Sequence, residues 1–243
     1  MKNKALQHQD QLIPYQIRHK PGVTRRIHLR AAQDGSLMVI APRRMSARDI
    51  HKTLQDRVTR VAHFLAGAVD RMHEIPRYQY VDGERHLYLG QRLLLEVRVT
   101  SSRQAGVQLT DEGIQICTPD DNPALVKRKL LSWYRVQAAH YFGIRMQCLA
   151  ANAAWAGGTI PAIRLRKMKR TWGSCSSRGN ITLNPRLVKA PQTCIDYVIA
   201  HELCHLREMN HGRAFYELQE ALYPGWRAAR RLLRAQAHVY LHE

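Results

Sequence analysis

The stretch Thr193-Cys-Ile-Asp-Tyr-Val-Ile-Ala-His-Glu-Leu-Cys-His-Leu-Arg-Glu-Met-Asn-His211 decides how this chain is read. Ile195, Val198, Ile199, Leu203 and Leu206 recur at helical spacing, and Thr193 with Asp196 has the form of a capping pair, so the stretch predicts a helix. Inside it stands His201-Glu-Leu-Cys-His205, an HExxH sequence. Residues i and i+4 share one helix face, so both imidazoles reach a single cation. Glu202 is offset by one residue, which sets its carboxylate beside a water on that cation rather than on the cation. With 13 His among 243 residues, chance supplies only about 0.03 such motifs in the whole chain. His211, six residues past His205, adds a third imidazole. Residues 206–210 suffice to end the helix and turn back, and Asn210 tolerates a left-handed turn. Three His ligands with one open position is the pattern of a catalytic Zn²⁺ site, not a closed structural one.

Composition narrows the class. The chain has 243 residues, 45% of them hydrophobic, which is enough for a sizeable core. No run of about 18 apolar residues occurs, so no transmembrane helix and no membrane partner are expected. Met1–Asp10 lacks the apolar core of a secretory signal. Five cysteines without a CxxC pair argue against a disulfide framework and fit a reducing cytoplasm. Cys204 points away from the histidine face and reads as a small buried residue. Cys175 has no ordered Cys/His/Asp arrangement around it and is read as inert.

Residues 12–42 read as strands: Ile13, Tyr15 and Ile17 alternate with polar residues, Asp34-Gly35 signals a hairpin, and Pro42 closes the run. Ser46 with Asp49 opens a helix along Ile50, Leu54, Val58, Val61 and Leu65, expected to end near Ala68. A second strand block follows, with Leu93, Leu95, Val97 and Val99 alternating, Asp111-Glu112-Gly113 as a turn, and Ile114 and Ile116 beyond it. Asn122-Pro123 reads as N-cap and first helical residue. That helix carries Val126, Leu130, Trp133, Gln137 and Tyr141 to about Ala156, where Gly157-Gly158 breaks it. Strands followed by a long helix thus occur twice, without a visible residue-level repeat. Residues 159–170 predict a strand, 173–179 a loop, 180–184 a short strand, and 212–222 and 226–242 two closing helices.

Lys plus Arg number 38 against 19 Asp plus Glu, a net charge of +19 that predisposes the chain to polyanions. From Asn122 to Ile195 there is no acidic residue among 74. The densest cationic run is Arg164, Arg166, Lys167, Lys169 and Arg170. Arg227, Arg230, Arg231 and Arg234 fall on one face of the last helix. The first cluster is expected near the histidine helix, as a contact for substrate or polyanion. Tyr216, Tyr197 and Arg170 are candidates to stabilise an oxyanion.

The spacing HExxHxxxxxH is also that of metzincins, but Glu208 stands where they have Gly. A closer likeness lies in Met168-Lys-Arg-Thr-Trp-Gly-Ser-Cys-Ser176, Gly179-Asn-Ile-Thr-Leu-Asn-Pro-Arg-Leu187, Asp196–Leu206, Asn210-His211 with Phe215, and Tyr223-Pro-Gly-Trp226. These resemble the YgjP-like metallopeptidase family, within the wider zincin group of SprT-type proteases. The resemblance implies His201, His205 and His211 as ligands of one zinc and Glu202 as catalytic base. It implies a peptide or protein substrate, with hydrolysis of a nucleoside triphosphate as the alternative and a DNA-associated protease as a third reading. The expected fold is α+β: a strand-and-helix region over 1–80, then a helical zincin-like domain with a short sheet over 81–243.

Overall fold

The chain folds as an α+β protein in a computed structural model that describes residues 4–23, 26–32, 36–100, 106–153, 155 and 160–243. It divides into two units, Met1–Pro76 and Arg77–Glu243. The Asp34-Gly35 and Gly157-Gly158 signals lie outside the described residues.

In the first unit, β1 (Lys4–His8), β2 (Gln11–His19), β3 (His28–Ala31) and β4 (Leu37–Ala41) form a sheet of order β1-β2-β4-β3. β2 and β4 run parallel, and the outer pairs are antiparallel. Alternation places Ile13 and Tyr15 on the inner face with Leu37 and Val39. Ile50 and Leu54 of α1 (Ala47–Gln55) and Val61 of α2 (Val58–Glu74) share that core. Ser46 caps α1 as expected, its hydroxyl accepting from the Asp49 amide at 3.1 Å. The single helix expected to end near Ala68 is instead two. The break falls at Arg57, whose φ of −125° and ψ of 22° leave helical space. α2 then continues to Glu74, because only Pro76 stops it: the residue before a proline is pushed out of the helical region, and Ile75 is extended. β1 lies ahead of the span where strands were expected; its Leu6 is fully buried.

In the second unit, β5 (Arg85–Tyr88), β6 (Gln91–Val99), β7 (Val107–Leu109) and β8 (Gly113–Thr118) form a sheet of order β5-β6-β8-β7. Asn122 opens α3 (Pro123–Ala151), accepting from the Ala124 amide at 2.9 Å. The Pro ring at the first helical position loses no bond, since that amide has no partner in any helix. α3 buries Val126, Leu130, Trp133 and Phe142 against the sheet and against the helices that follow. A three-stranded sheet of order β10-β11-β9 follows, from β9 (Ile163–Leu165), β10 (Gly173–Cys175) and β11 (Ile181–Leu183). The strand expected over 159–170 is thus only three residues long, and 173–175, expected as loop, pairs with β11.

α4 (Gln192–Cys204), α5 (Arg213–Leu222), α6 (Trp226–Ala235) and α7 (Ala237–Tyr240) complete the chain. The last helix expected over 226–242 breaks at Gln236. α4 is buried on nearly every side, including Ile195, Val198, Ile199 and Leu203, so it is the central helix of this unit. No helix among the described residues is long and apolar enough to cross a membrane.

Candidate metal centre

α4 begins two residues earlier than its Thr193-Asp196 signal suggests, and that signal has another use. Pro191, with φ held at −57°, precedes the first turn and accepts from the Cys194 amide at 2.9 Å. Two backbone bonds, from Leu89 to the Val188 carbonyl (2.8 Å) and from Gly90 to the Lys189 carbonyl (3.1 Å), fix the chain entering the helix. Asp196 is no cap: it takes a bidentate ion pair from Arg145 of α3, at 2.7 and 3.0 Å.

At the other end of α4, His201 and His205 fall on one face. His205 is the C-cap, yet its φ of −67° and ψ of −15° remain helical, so the i, i+4 geometry survives. The left-handed turn that Asn210 would tolerate is not used, since Asn210 does not have positive φ. The reversal is built by ordinary turns, the Arg207 and Glu208 amides both donating to the Cys204 carbonyl at 3.1 and 2.9 Å. His211 then comes back over the helix, its Nε2 3.1 Å from that of His201. One nitrogen from each of the three rings lies within 4.8 Å of the others.

Partners orient these rings. His205 Nδ1 lies 3.0 Å from the Glu208 carbonyl and His201 Nδ1 lies 3.4 Å from Gln219 Oε1, which leaves the Nε2 atoms to face one another. An outer acceptor of this kind fixes tautomer and ring angle in metal sites. Phe215 of α5, fully buried, backs all three rings at centroid distances of 4.9, 4.7 and 4.7 Å. Burial, and then the neighbouring His205, lowers the His201 pKa to about 4; burial also lowers that of His211. Both are thereby kept neutral, the form that ligates.

Glu202 is buried, and its Oε2 has no hydrogen-bond partner among the described residues. Burial pushes its carboxyl up to about 8. An orphaned, buried carboxyl oxygen on the residue that follows His201, with three converging imidazoles, is the arrangement a divalent cation with an attached water would satisfy. β10 passes directly over this carboxylate. A Cβ on Gly173 would stand 2.5 Å from Glu202 Oε1, so only glycine leaves room. Neither cysteine offers a thiolate: burial, then the charge of Glu202, raises the Cys175 pKa, and burial pushes Cys204 up to about 12.

A cavity of about 350 Å³ opens beside His201 and His211. Tyr197 and Tyr216 line it, as do Trp172 and Gln219, which sequence reasoning did not single out for the site. Arg164, Arg166, Lys167, Lys169 and Arg170 are not among its walls; all are exposed, and Lys167 is paired with Glu243. The guanidiniums in the cavity are instead Arg230 and Arg234, from the other cluster. The short strand expected over 180–184 is interior to its sheet as β11; the edge beside Glu202 is β10.

The family model for the YgjP-like metallopeptidase domain matches residues 25–236. Among solved structures, the crystal structure of the metallopeptidase zymogen of Pyrococcus abyssi abylysin is similar at 25% identity, covering 39% of this chain and 97% of that one with a TM-score of 0.33. No curated protein sequence matches.

Proposed function

Because the chain belongs to the YgjP-like metallopeptidase family, we propose that it is a zinc-dependent peptidase in which His201, His205 and His211 hold the ion and Glu202 is the general base. The observation that carries this reading is the convergence of three ring nitrogens within 4.8 Å, together with the orphaned Oε2 of Glu202, the residue that follows His201. Zinc is the ion that neutral imidazoles with an open fourth position suit best. Bound there, it would supply Lewis acidity, polarising a substrate carbonyl and acidifying a water.

The chain's own residues do the rest. Gln219 and the Glu208 carbonyl hold the His201 and His205 rings in place through Nδ1. Glu202 Oε2, without a hydrogen-bond partner among the described residues, accepts the proton of the attacking water and returns it to the leaving amine. Burial alone raises this carboxyl to about 8, and a cation held by the three histidines would favour its ionised form. Tyr197 and Tyr216 line the same cavity and are the candidates to donate to the oxyanion. β10 leaves one edge unpaired within the sheet, next to Glu202, which suits an extended peptide added as a further strand.

The test is a pair of variants with metal analysis. His205→Ala should lose stoichiometric zinc. Glu202→Gln should keep zinc and lose peptide hydrolysis by about two to four powers of ten, the usual share of a general base. Full zinc in His205→Ala, or parental turnover in Glu202→Gln, would refute the assignment.

A further inference from the structure

α6 presents two chemically different sides. Trp226, Ala229 and Leu233 are buried, while Arg227, Arg230 and Arg234 point elsewhere. Arg227 is spoken for: it pairs with Glu220 and lies over the Trp226 ring at 4.6 Å. Arg230 also lies over that ring, at 5.9 Å, and with Arg234 it lines the cavity beside His201 and His211. Neither has an ion-pair partner among the described residues. Of the acids on α4 and α5, Glu217 pairs with Arg213, Glu220 with Arg227 and Asp196 with Arg145; Glu202, unpaired among the described residues, is buried and not among the cavity's walls. No carboxylate among the described residues lines the cavity, whose remaining surface includes Trp172 and Leu233.

Two guanidiniums on one recess, Arg230 half-buried and Arg234 exposed, with no ion-pair partner among the described residues, give it a positive field that favours an anion. A guanidinium matches the planar, two-oxygen geometry of a carboxylate through paired N–H donors. The Trp172 and Leu233 walls suit the short apolar stem that carries such a group. The volume, about 350 Å³, accommodates one side chain or one chain end. We propose that this cavity receives a carboxylate of the peptide substrate, through Arg230 and Arg234, and so selects peptides bearing negative charge next to the scissile bond. The proposal rests on the peptidase reading above. The carboxylate is that of an Asp or Glu side chain or of a free C-terminus, which the same two arginines would bind alike.

The experiment uses the zinc-loaded full chain and synthetic peptides that differ at one position between Asp, Glu, Ala and Lys. One set carries C-terminal amides and the other free acids, and products are read by mass spectrometry. Acidic peptides should be cut about tenfold or more faster than the Lys peptides, as expected for charge-assisted bonds to two guanidiniums. Cleavage beside Asp or Glu in the amidated set identifies the side chain; cleavage confined to the ends of free-acid peptides identifies the terminal carboxylate. The Arg230→Glu/Arg234→Glu variant should reverse the order while keeping its zinc. Should that variant not fold, Arg230→Gln/Arg234→Gln should flatten it. Equal rates for acidic and basic peptides, or a preference unchanged in the variants, overturns the inference and leaves the peptidase reading intact. Hydrolysis of no peptide at all, with zinc bound, overturns that reading and the inference with it.

Discussion

The sheets of the two units are built alike. Order, pairing sense and register coincide: Tyr15 pairs with Leu37 as Leu95 pairs with Ile114, and Leu29 with Val39 as Val107 with Ile116. A proline follows each fourth strand, Pro42 and Pro119, and a capping side chain then opens a helix, Ser46 and Asn122. Four residues past each cap stand Ile50 and Val126, and four further on Leu54 and Leu130, all buried. The surroundings differ. The hairpin tip Gln9-Asp10 is exposed, whereas Leu89-Gly90 is bonded to the chain that leads into α4. The helix of the first unit is broken; α3 of the second runs 29 residues and holds Asp196 of α4 through Arg145. The shared sheet-and-helix motif therefore carries no chemistry by itself. What distinguishes the second unit is that its hairpin tip and its helix hold the histidine helix at two points.

The largest expected difference between the units is their response to metal. A ligand that binds only the native state stabilises it by about 4 kcal/mol at a free concentration a thousandfold above its dissociation constant. Hydrogen exchange with and without a chelator should show that gain in 192–222, around the histidines, and leave the β1–β4 sheet unchanged. An equal gain in β1–β4 would mean that the two units do not unfold separately.

Next in size is Arg145→Ala. Asp196 is almost fully buried, and loss of its only ion-pair partner among the described residues strands a charge in the core. About 3 kcal/mol of destabilisation is expected, with partial recovery in Arg145→Ala/Asp196→Asn. The exposed Arg60→Ala on α2 should cost less than about 0.5 kcal/mol in the same denaturation assay. Similar values for both would remove the argument that α3 clamps α4.

The ion pair also shows where sequence reading stops. The HExxH geometry was legible because i and i+4 on a helix are local facts. His211 was legible by proximity alone, and the turn that delivers it does without the left-handed conformation that Asn210 would tolerate. Asp196 looked like a cap because Thr193 stood three residues before it; its partner is 51 residues away, and no local pattern encodes that. Four arginines on one face of α6 were visible from periodicity, but which of them met the histidines depended on how the helix packs. The repeat was hidden for a similar reason. Tyr15 matches Leu95, and Leu37 matches Ile114, as buried positions in register rather than as residue types. Gly173 had no sequence signal beyond its family motif, because its requirement is the space that Glu202 fills.

The smallest effect separates the two hairpin tips. Gly90 has φ of 84°, where an L residue is disfavoured by roughly 1 kcal/mol. A Cβ there would also stand 2.8 Å from Pro191 Cγ and 3.0 Å from its Cα, so the strained residue has to push against backbone. The bond from the Gly90 amide to the Lys189 carbonyl lengthens as a result, loosening the entry to α4. Gly90→Ala should therefore cost about 2 kcal/mol and weaken zinc binding, since the penalty falls on the segment that orients the histidine helix. Asp10, at the matching position of the first unit, is exposed and does not have positive φ. Asp10→Ala should change stability by less than about 0.5 kcal/mol and zinc affinity not at all. Paired denaturation curves and zinc titrations decide the matter. If Gly90→Ala is as silent as Asp10→Ala, the docked hairpin does not position the metal centre, and the contrast between the units reduces to the length of α3 and the Arg145–Asp196 pair.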